Sequence, residues 1–478
     1  MLLSELSEGA PPVKIAALAY DSRQVAPGTL FFCVTGRQSD GHEHARQAVE
    51  AGAAALVVER PLGLGVPELL VPSVRAAMAP LAARFNGDPS ARLRVVGITG
   101  TNGKTTTTFL VRALLEAAGE QCALLGTVKS VIGGVDGEVI HTTPEAIDLQ
   151  ASFAAMLAAG DTACAIEVSS HALELHRADA IHFAAAAFTN LTQDHLDFHP
   201  TMEDYFRAKR RLFELDPGVA VVNVDDPYGA RLKAEFPQAV TVALRAPADY
   251  HAAELRSGIA EAQFIAQTPD GEIEIRTRLP GAFNAANAIA AIALAHQLGV
   301  SLTTIQAALE NAAPAPGRFQ ALDEGQPFAV LVDYAHTPDS LENVLRAARA
   351  LTDQHLICVF GCGGDRDRGK RPQMGRIAAA LADVTVVTSD NPRSEAPEAI
   401  VEEILAGARP AGAHTVEAIV ERRAAIAHAI ELARPGDVVV IAGKGHEQGQ
   451  EFAGGRKIPF DDVAVAREQL RPAALSGR

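Results

Sequence analysis

A chain of 478 residues is too long for one hydrophobic core, and its length suggests about three domains. Hydrophobic residues make up 48% and charged residues 21%, the proportions of an ordinary soluble globular protein. The net charge of −16 repels phosphate polyanions and so argues against a general role on nucleic acid or an anionic membrane. Anionic ligands then need local basic clusters. Arg207–Arg211 and Arg366–Arg371 offer two, although solvated surface is the plainer reading of both.

The five cysteines (Cys33, Cys122, Cys164, Cys358 and Cys362) lack paired spacing and mostly sit in apolar runs, which favours free thiols in a reducing compartment. The start carries no signal-peptide pattern, and no run reaches the roughly 20 apolar residues a membrane span needs. The expectation is a cytoplasmic protein with no membrane insertion.

Up to about Asp88 the pattern is that of a small α/β unit. A buried strand at Gly28–Val34 precedes a helix from His42 to Ala51, closed by Gly52, and a strand at Ala53–Val58. Asn86-Gly-Asp-Pro-Ser reads as a linker. A second unit, 89–315, opens with a strand at Leu93–Thr99, a glycine loop and a helix over Thr105–Ala118. Strands at Ala163–Val168, Phe183–Thr189 and Val219–Val224 follow, then antiparallel strands over 240–280, a helix over Asn284–Leu298 and a terminating Pro314-Ala-Pro-Gly-Arg.

The last unit, 316–478, alternates. Strands at Ala329–Asp333, His355–Phe360, Val384–Thr388 and Asp437–Ala442 are separated by helices at Asp339–Leu351, Met374–Ala382, 397–407 and 418–433. This alternation predicts an α/β fold with a Rossmann-like, doubly wound, mostly parallel C-terminal sheet, whose strand-end loops are available to ligands.

Gly97-Ile-Thr-Gly-Thr-Asn-Gly-Lys-Thr-Thr lies between a strand and a helix, as a phosphate loop must. Its glycines let backbone N–H groups curl around phosphate oxygens at the positive end of the helix. Lys104 is placed to bridge the β- and γ-phosphates of ATP, and the Thr105 hydroxyl to bind Mg²⁺. Ile98 stands where the strict phosphate-loop pattern has its first glycine. Gly100-Thr-Asn-Gly-Lys-Thr-Thr resembles instead the ATP loop of the Mur ligases and folylpolyglutamate synthases, which form amides through acyl phosphates. The N-terminal unit favours the Mur ligases.

Further motifs carry the same resemblance: Glu167-Val-Ser-Ser-His, Thr189-Asn-Leu-x-x-Asp-His-Leu-Asp-x-His and Tyr205-Phe-x-Ala-Lys-x-x-Leu-Phe. It implies an ATP-binding central domain whose ATP contacts are Gly100, Thr101, Asn102, Gly103, Lys104, Thr105, Thr106, Asn287 and Arg318. It implies Mg²⁺ on Thr105, Glu167 and His195, and catalytic roles for Lys104, His195 and Lys209, with Lys209 carbamylated to N6-carboxylysine. Asp21-Ser-Arg-x-Val-x-Pro-Gly-x-Leu-Phe and Gly36-x-x-x-Asp-Gly-His look like the family's UDP-sugar domain, here 1–88. The matching UDP-substrate residues are Ser22, Gln38, Thr142, Thr143, Ser169 and Arg177, while His141 and Leu175 depart from some members.

Ser389-Asp-Asn-Pro-Arg-Ser-Glu follows a strand and presents an acid, an amide and a planar cation, a set suited to a zwitterionic amino acid. By resemblance Asp390, Asn391, Pro392 and Arg393, with Arg366, Gly443 and Glu447, mark the Mur ligases that add meso-diaminopimelate to a UDP-muramoyl dipeptide. His336, in Asp333-Tyr-Ala-His-Thr-Pro, is either an ATP-side residue or a helix cap. The implied protein is a monomer acting on small molecules. A lysine-adding ligase and a non-enzymatic nucleotide-binding module are the alternatives.

Overall fold

The computed structural model describes residues 1–36, 39–139, 141–258, 261–409 and 415–471. They form two compact units: Met1–Thr99, Ala118–Ala187 and Arg207–Ala220 in the first, and Gly100–Ala117, Phe188–Phe206 and Val221–Arg478 in the second. The architecture is mixed α/β, as expected. Among the described residues no helix is long and apolar enough to cross a membrane.

In the first unit, strands Ala17–Ala19, Thr29–Phe32, Ala53–Val58 and Glu68–Leu70 form a parallel sheet in that order. Its continuous apolar runs are explained by cover on both faces. Leu30, Phe32, Ala55 and Val57 pack on Val74, Met78 and Ala82 of helix Val74–Phe85. Phe31, Leu56 and Val58 face the opposite way, onto Ala45 and Ala48. The unit also holds strand Arg94–Thr99 paired in parallel with Ala163–Glu167, which in turn pairs with Cys122–Leu125. Gly97 is needed in Arg94–Thr99, because a Cβ there would lie 2.6 Å from the Phe183 ring.

In the second unit, helix Lys104–Ala117 packs on helix Ala282–Gln297, an alanine-rich segment buried along most of its length. The antiparallel ribbon expected over 240–280 is present only from Tyr250 onward, through Ala262–Thr268 and Gly271–Thr277. Val240–Ala243 pairs in parallel with both Val219–Asn223, from which helix Pro227–Glu235 crosses over, and Tyr250–Ser257.

The C-terminal sheet runs Gln320–Leu322, Ala329–Asp333, Val438–Ala442, Leu356–Phe360, Val384–Val387 and Thr415–Ala418, parallel except for its first strand. Val438, Val440 and Ala442 face one helical layer, with Leu341, Met374 and Ile404. Val439 and Ile441 face the other, with Ile426 and Val465. The doubly wound expectation therefore holds in the side chains. Two expected boundaries move. The helix expected from Met374 begins at Lys370, since Pro372 is tolerated in a first turn whose N–H groups have no intrahelical partner. The helix expected from 418 starts at Arg422 behind its cap Glu421, and Thr415–Ala418 is an edge strand.

Candidate active site

The loop 100–103 enters helix Lys104–Ala117 with Gly100 at φ 149° and Gly103 at φ 85°, a geometry that favours glycine. Contact demands it as well. A Cβ would lie 1.9 Å from Thr189 Oγ1 at Gly100 and 2.2 Å from Asn287 Oδ1 at Gly103. The loop backbone is held by its neighbours. Thr101 N donates to Asn190 O (2.8 Å), Asn102 N to Asn190 Oδ1 (2.9 Å), and Thr189 Oγ1 to Asn102 O (2.6 Å). Lys104 Nζ curls back to donate to Gly100 O and Thr101 O at 2.9 and 2.8 Å. Arg318 Nη2 donates to the Thr105 hydroxyl at 3.1 Å, with its guanidinium 4.5 Å from the centre of the Tyr334 ring. Segment 100–106, Asn287 and Arg318 are thus brought together, and the rigid loop fits a nucleoside triphosphate.

In the first unit Glu167 ends its strand and is 1% exposed. Its Oε1 accepts from Thr127 N (2.8 Å) and its Oε2 from Thr127 Oγ1 (3.1 Å), which lies 3.0 Å from Thr142 Oγ1. The Thr143 hydroxyl donates to Glu167 O and accepts from Ser169 N. Arg177 donates to Thr143 O (3.0 Å) and pairs with Glu145 at 2.7 Å. Thr142, Thr143, Glu167, Ser169 and Arg177 therefore form one connected network. Ser22 is outside it, donating to Gln47 Oε1 at 3.1 Å, and Gln38 lies outside the described residues. Lys209 sits on helix Met202–Glu214 and is 1% exposed.

Among the described residues no three His, Cys, Asp or Glu side chains gather into a metal cage. Mg²⁺ seldom needs one, since it keeps several waters and takes one or two carboxylates plus substrate phosphates. The buried Glu167 carboxylate, set among threonine hydroxyls, is a hard-oxygen donor that fits it.

In the second unit a cavity of about 230 Å³ opens at the carboxyl ends of the C-terminal strands. Arg366, Asp390, Asn391, Arg393, Gly443 and Glu447 line it, and so do His195 and Asp194. His195 and Arg393 both occupy left-handed backbone, at φ 54° and 51°, a strain found where a fold holds a functional side chain in place. Arg393 Nε donates to Glu451 Oε2 (2.9 Å) and Nη1 to Gly364 O (2.8 Å). Asn391 Nδ2 donates to Glu447 Oε2 at 2.8 Å. Burial alone would raise the Asp390 carboxyl, but Lys444 and Arg422 outweigh it and hold the group below the usual carboxylate range. Burial would likewise raise Asp194, but His195 together with His336 and Lys370 outweighs it and holds the group at about 2.

Three family models cover most of the chain: "Mur ligase family, catalytic domain" at 14–86, "Mur ligase middle domain" at 98–295, and "Mur ligase, glutamate ligase domain" at 317–445. The chain belongs to the Mur ligase family. Among its relatives is the UDP-N-acetylmuramoyl-L-alanyl-D-glutamate--2,6-diaminopimelate ligase of Syntrophomonas wolfei, 48% identical over 98% of this chain and 97% of that protein. The ligase of the same name from Geobacillus thermodenitrificans is 47% identical over 96% of this chain and 95% of its own length. A solved structure bearing that ligase name matches with a TM-score of 0.72 at 35% identity, covering 98% of each chain.

In this Mur ligase several residues that support the cavity without lining it were not evident from spacing. Lys444, Arg371 and Arg422 are fully buried cations beneath the strand-end loops. Arg371 overturns the surface reading of the Arg366–Arg371 cluster at that position. It bonds Glu395, Glu403 and Gly363 O, while Arg366 and Arg368 are exposed. The helix-cap reading of His336 also falls. Thr337 is the N-cap, accepting from Ser340 N, and His336 lines the cavity with Nδ1 2.9 Å from Tyr334 O. The available sequence signal for Lys444 was a lysine between two glycines just after a buried strand.

Proposed function

We propose that this Mur ligase is a monomeric cytoplasmic enzyme of peptidoglycan precursor synthesis. It uses ATP to join meso-diaminopimelate to the D-glutamate carboxyl of UDP-N-acetylmuramoyl-L-alanyl-D-glutamate. Residues 1–88 serve as the UDP-sugar domain, 89–315 as the ATP-binding domain and 316–478 as the amino-acid domain. The observation that carries the reading is the cavity in which Asp390, Asn391, Arg393 and Glu447 stand with His195.

ATP phosphates bind on the 100–106 backbone, with Lys104 leaving its loop carbonyls for the β- and γ-phosphates. Thr105, Glu167 and His195 would hold Mg²⁺, which supplies charge neutralisation for phosphoryl transfer. Thr142, Thr143, Ser169 and Arg177, with Ser22 and Gln38, hold the UDP-dipeptide so that its D-glutamate carboxylate attacks the γ-phosphorus and ADP leaves. The amine, delivered neutral, adds to the acyl carbon and phosphate departs with the C–O bond. Positioning and charge stabilisation supply most of the rate. Lys209 is assigned as a carbamate. Its neutral amine adds CO₂ and loses a proton, converting a buried cation, costly to desolvate, into an anion that would help to hold Mg²⁺.

Two arginines at the cavity favour diaminopimelate over lysine, because only the former brings a second carboxylate for a guanidinium to clamp. The test is phosphate release and product mass with diaminopimelate and lysine offered in parallel, together with hydroxylamine trapping of the acyl phosphate. Wild type should require the UDP-dipeptide and prefer diaminopimelate, and Lys104→Ala should yield no hydroxamate. Equal use of lysine, or normal ligation by Lys104→Ala, overturns the reading.

A further inference from the structure

The Lys444 ammonium is 0% exposed and has three N–H donors, all engaged: with Asn391 Oδ1 at 2.7 Å, Gly449 O at 2.8 Å and Glu447 Oε2 at 3.2 Å. Asp390 Oδ1 also lies 3.2 Å away. A cation committed in this way has nothing left to offer a ligand, and it is not among the residues that line the cavity. Its bonds reach two of the loops that do line it, 389–395 and 443–451, at residues more than fifty positions apart in sequence.

Two consequences follow from this placement. Asn391 Oδ1 accepts from both Lys444 Nζ and Glu451 N (3.0 Å), which fixes the amide flip. The NH₂ group must then face Glu447 Oε2, at 2.8 Å, leaving a second N–H to present to a substrate carboxylate. The second consequence concerns charge. Asp390 and Glu447 are two carboxylates at one end of the cavity, and Arg422 is already matched by Asp462. With Lys444 between them the pair carries one net negative charge, which suits a single ammonium. Without it, the buried Asp390 carboxylate and the half-buried Glu447 carboxylate would be left without the cation they share.

We propose that Lys444 is a positioning residue that sets amino-acid recognition, orienting the Asn391 amide and balancing the Asp390–Glu447 carboxylates without touching substrate. The inference rests on the reading of this cavity as the amino-acid site. Its test is steady-state kinetics of full-length Lys444→Met and Lys444→Gln, with KM measured separately for ATP, UDP-dipeptide and diaminopimelate.

Lys444→Met should raise the diaminopimelate KM by roughly 10- to 100-fold, the effect of losing a charge-assisted bond set. The other two KM values should stay within about twofold, and hydroxamate yield without amino acid should be unchanged. Lys444→Gln keeps a donor for Asn391 Oδ1 but no charge, so its diaminopimelate KM should fall between wild type and Lys444→Met. Should Lys444→Met not fold, the Gln variant carries the comparison, with hydroxamate yield reporting an intact ATP side. An unchanged diaminopimelate KM, a parallel rise in all three KM values, or no rescue by Gln overturns the proposal. Wild type that releases phosphate without needing an amino acid would instead overturn the functional reading itself.

Discussion

The Arg422–Asp462 pair offers a quantitative test of how the amino-acid loops are supported. Both side chains are 0% exposed and meet through two parallel bonds, Nε–Oδ1 at 2.8 Å and Nη2–Oδ2 at 2.7 Å. The same guanidinium donates to Ala442 O (2.9 Å) and Ser389 O (3.3 Å), tying together the ends of two strands whose loops line the cavity. Asp462→Ala strands a buried cation and should cost about 3–5 kcal/mol. At about 2–4 °C per kcal/mol, the scale for a domain the size of the proposed 316–478 unit, its transition should fall by roughly 6–20 °C. In Arg422→Met/Asp462→Leu neither charge of the pair remains. Its cost comes from the two carbonyls left without their donor, about 1–3 kcal/mol each if water cannot reach them, and from the loss of one of the two cations that favour the Asp390 carboxylate. The two variants share the loss of the pair and differ in the stranded charge and in the Arg422 bonds to Ala442 O and Ser389 O. Calorimetry with far-UV circular dichroism reads the melting temperatures. If Asp462→Ala melts within about 2 °C of wild type, then the stranded-charge argument fails.

Two further outcomes are expected. Gly103→Ala places a Cβ 2.2 Å from Asn287 Oδ1 at φ 85°, so the ATP KM should rise roughly 5- to 100-fold as the loop shifts, with melting changed by only a few degrees. An ATP KM equal to wild type would show that the loop relaxes freely. Burial, and after it the Lys370 charge, lowers His336 to about 4, while Asp194 acts in the opposite sense. A histidine depressed in the folded state contributes stability above its unfolded value near 6.5, and that stability is lost as pH falls toward 4. Because the ring is partly solvent-accessible, the slope should amount to about 1–2 kcal/mol. Urea titrations at pH 7 and pH 4.5 should show that difference in wild type and a smaller one in His336→Gln. Equal slopes would place the charge change elsewhere.

Local patterning determined much of this protein. The phosphate loop, each element of the alternating C-terminal unit and the Ser389–Glu395 segment are read from short windows, because strand period, helix period and glycine conformations are local properties. The expected Asp390, Asn391, Arg393, Arg366, Gly443 and Glu447 do line one cavity, since strand-end loops of a parallel sheet share one edge. Tertiary structure alone decided which charges went inside. Arg371 and Arg366 are five residues apart in one basic run, yet one is fully buried and the other exposed. Lys444 and Arg422 find their partners 53 and 40 positions away. A long charged side chain left to itself stays in water. Its place depends on whether carboxylates and carbonyls from remote segments surround it well enough to replace water, and only the folded chain assembles that shell.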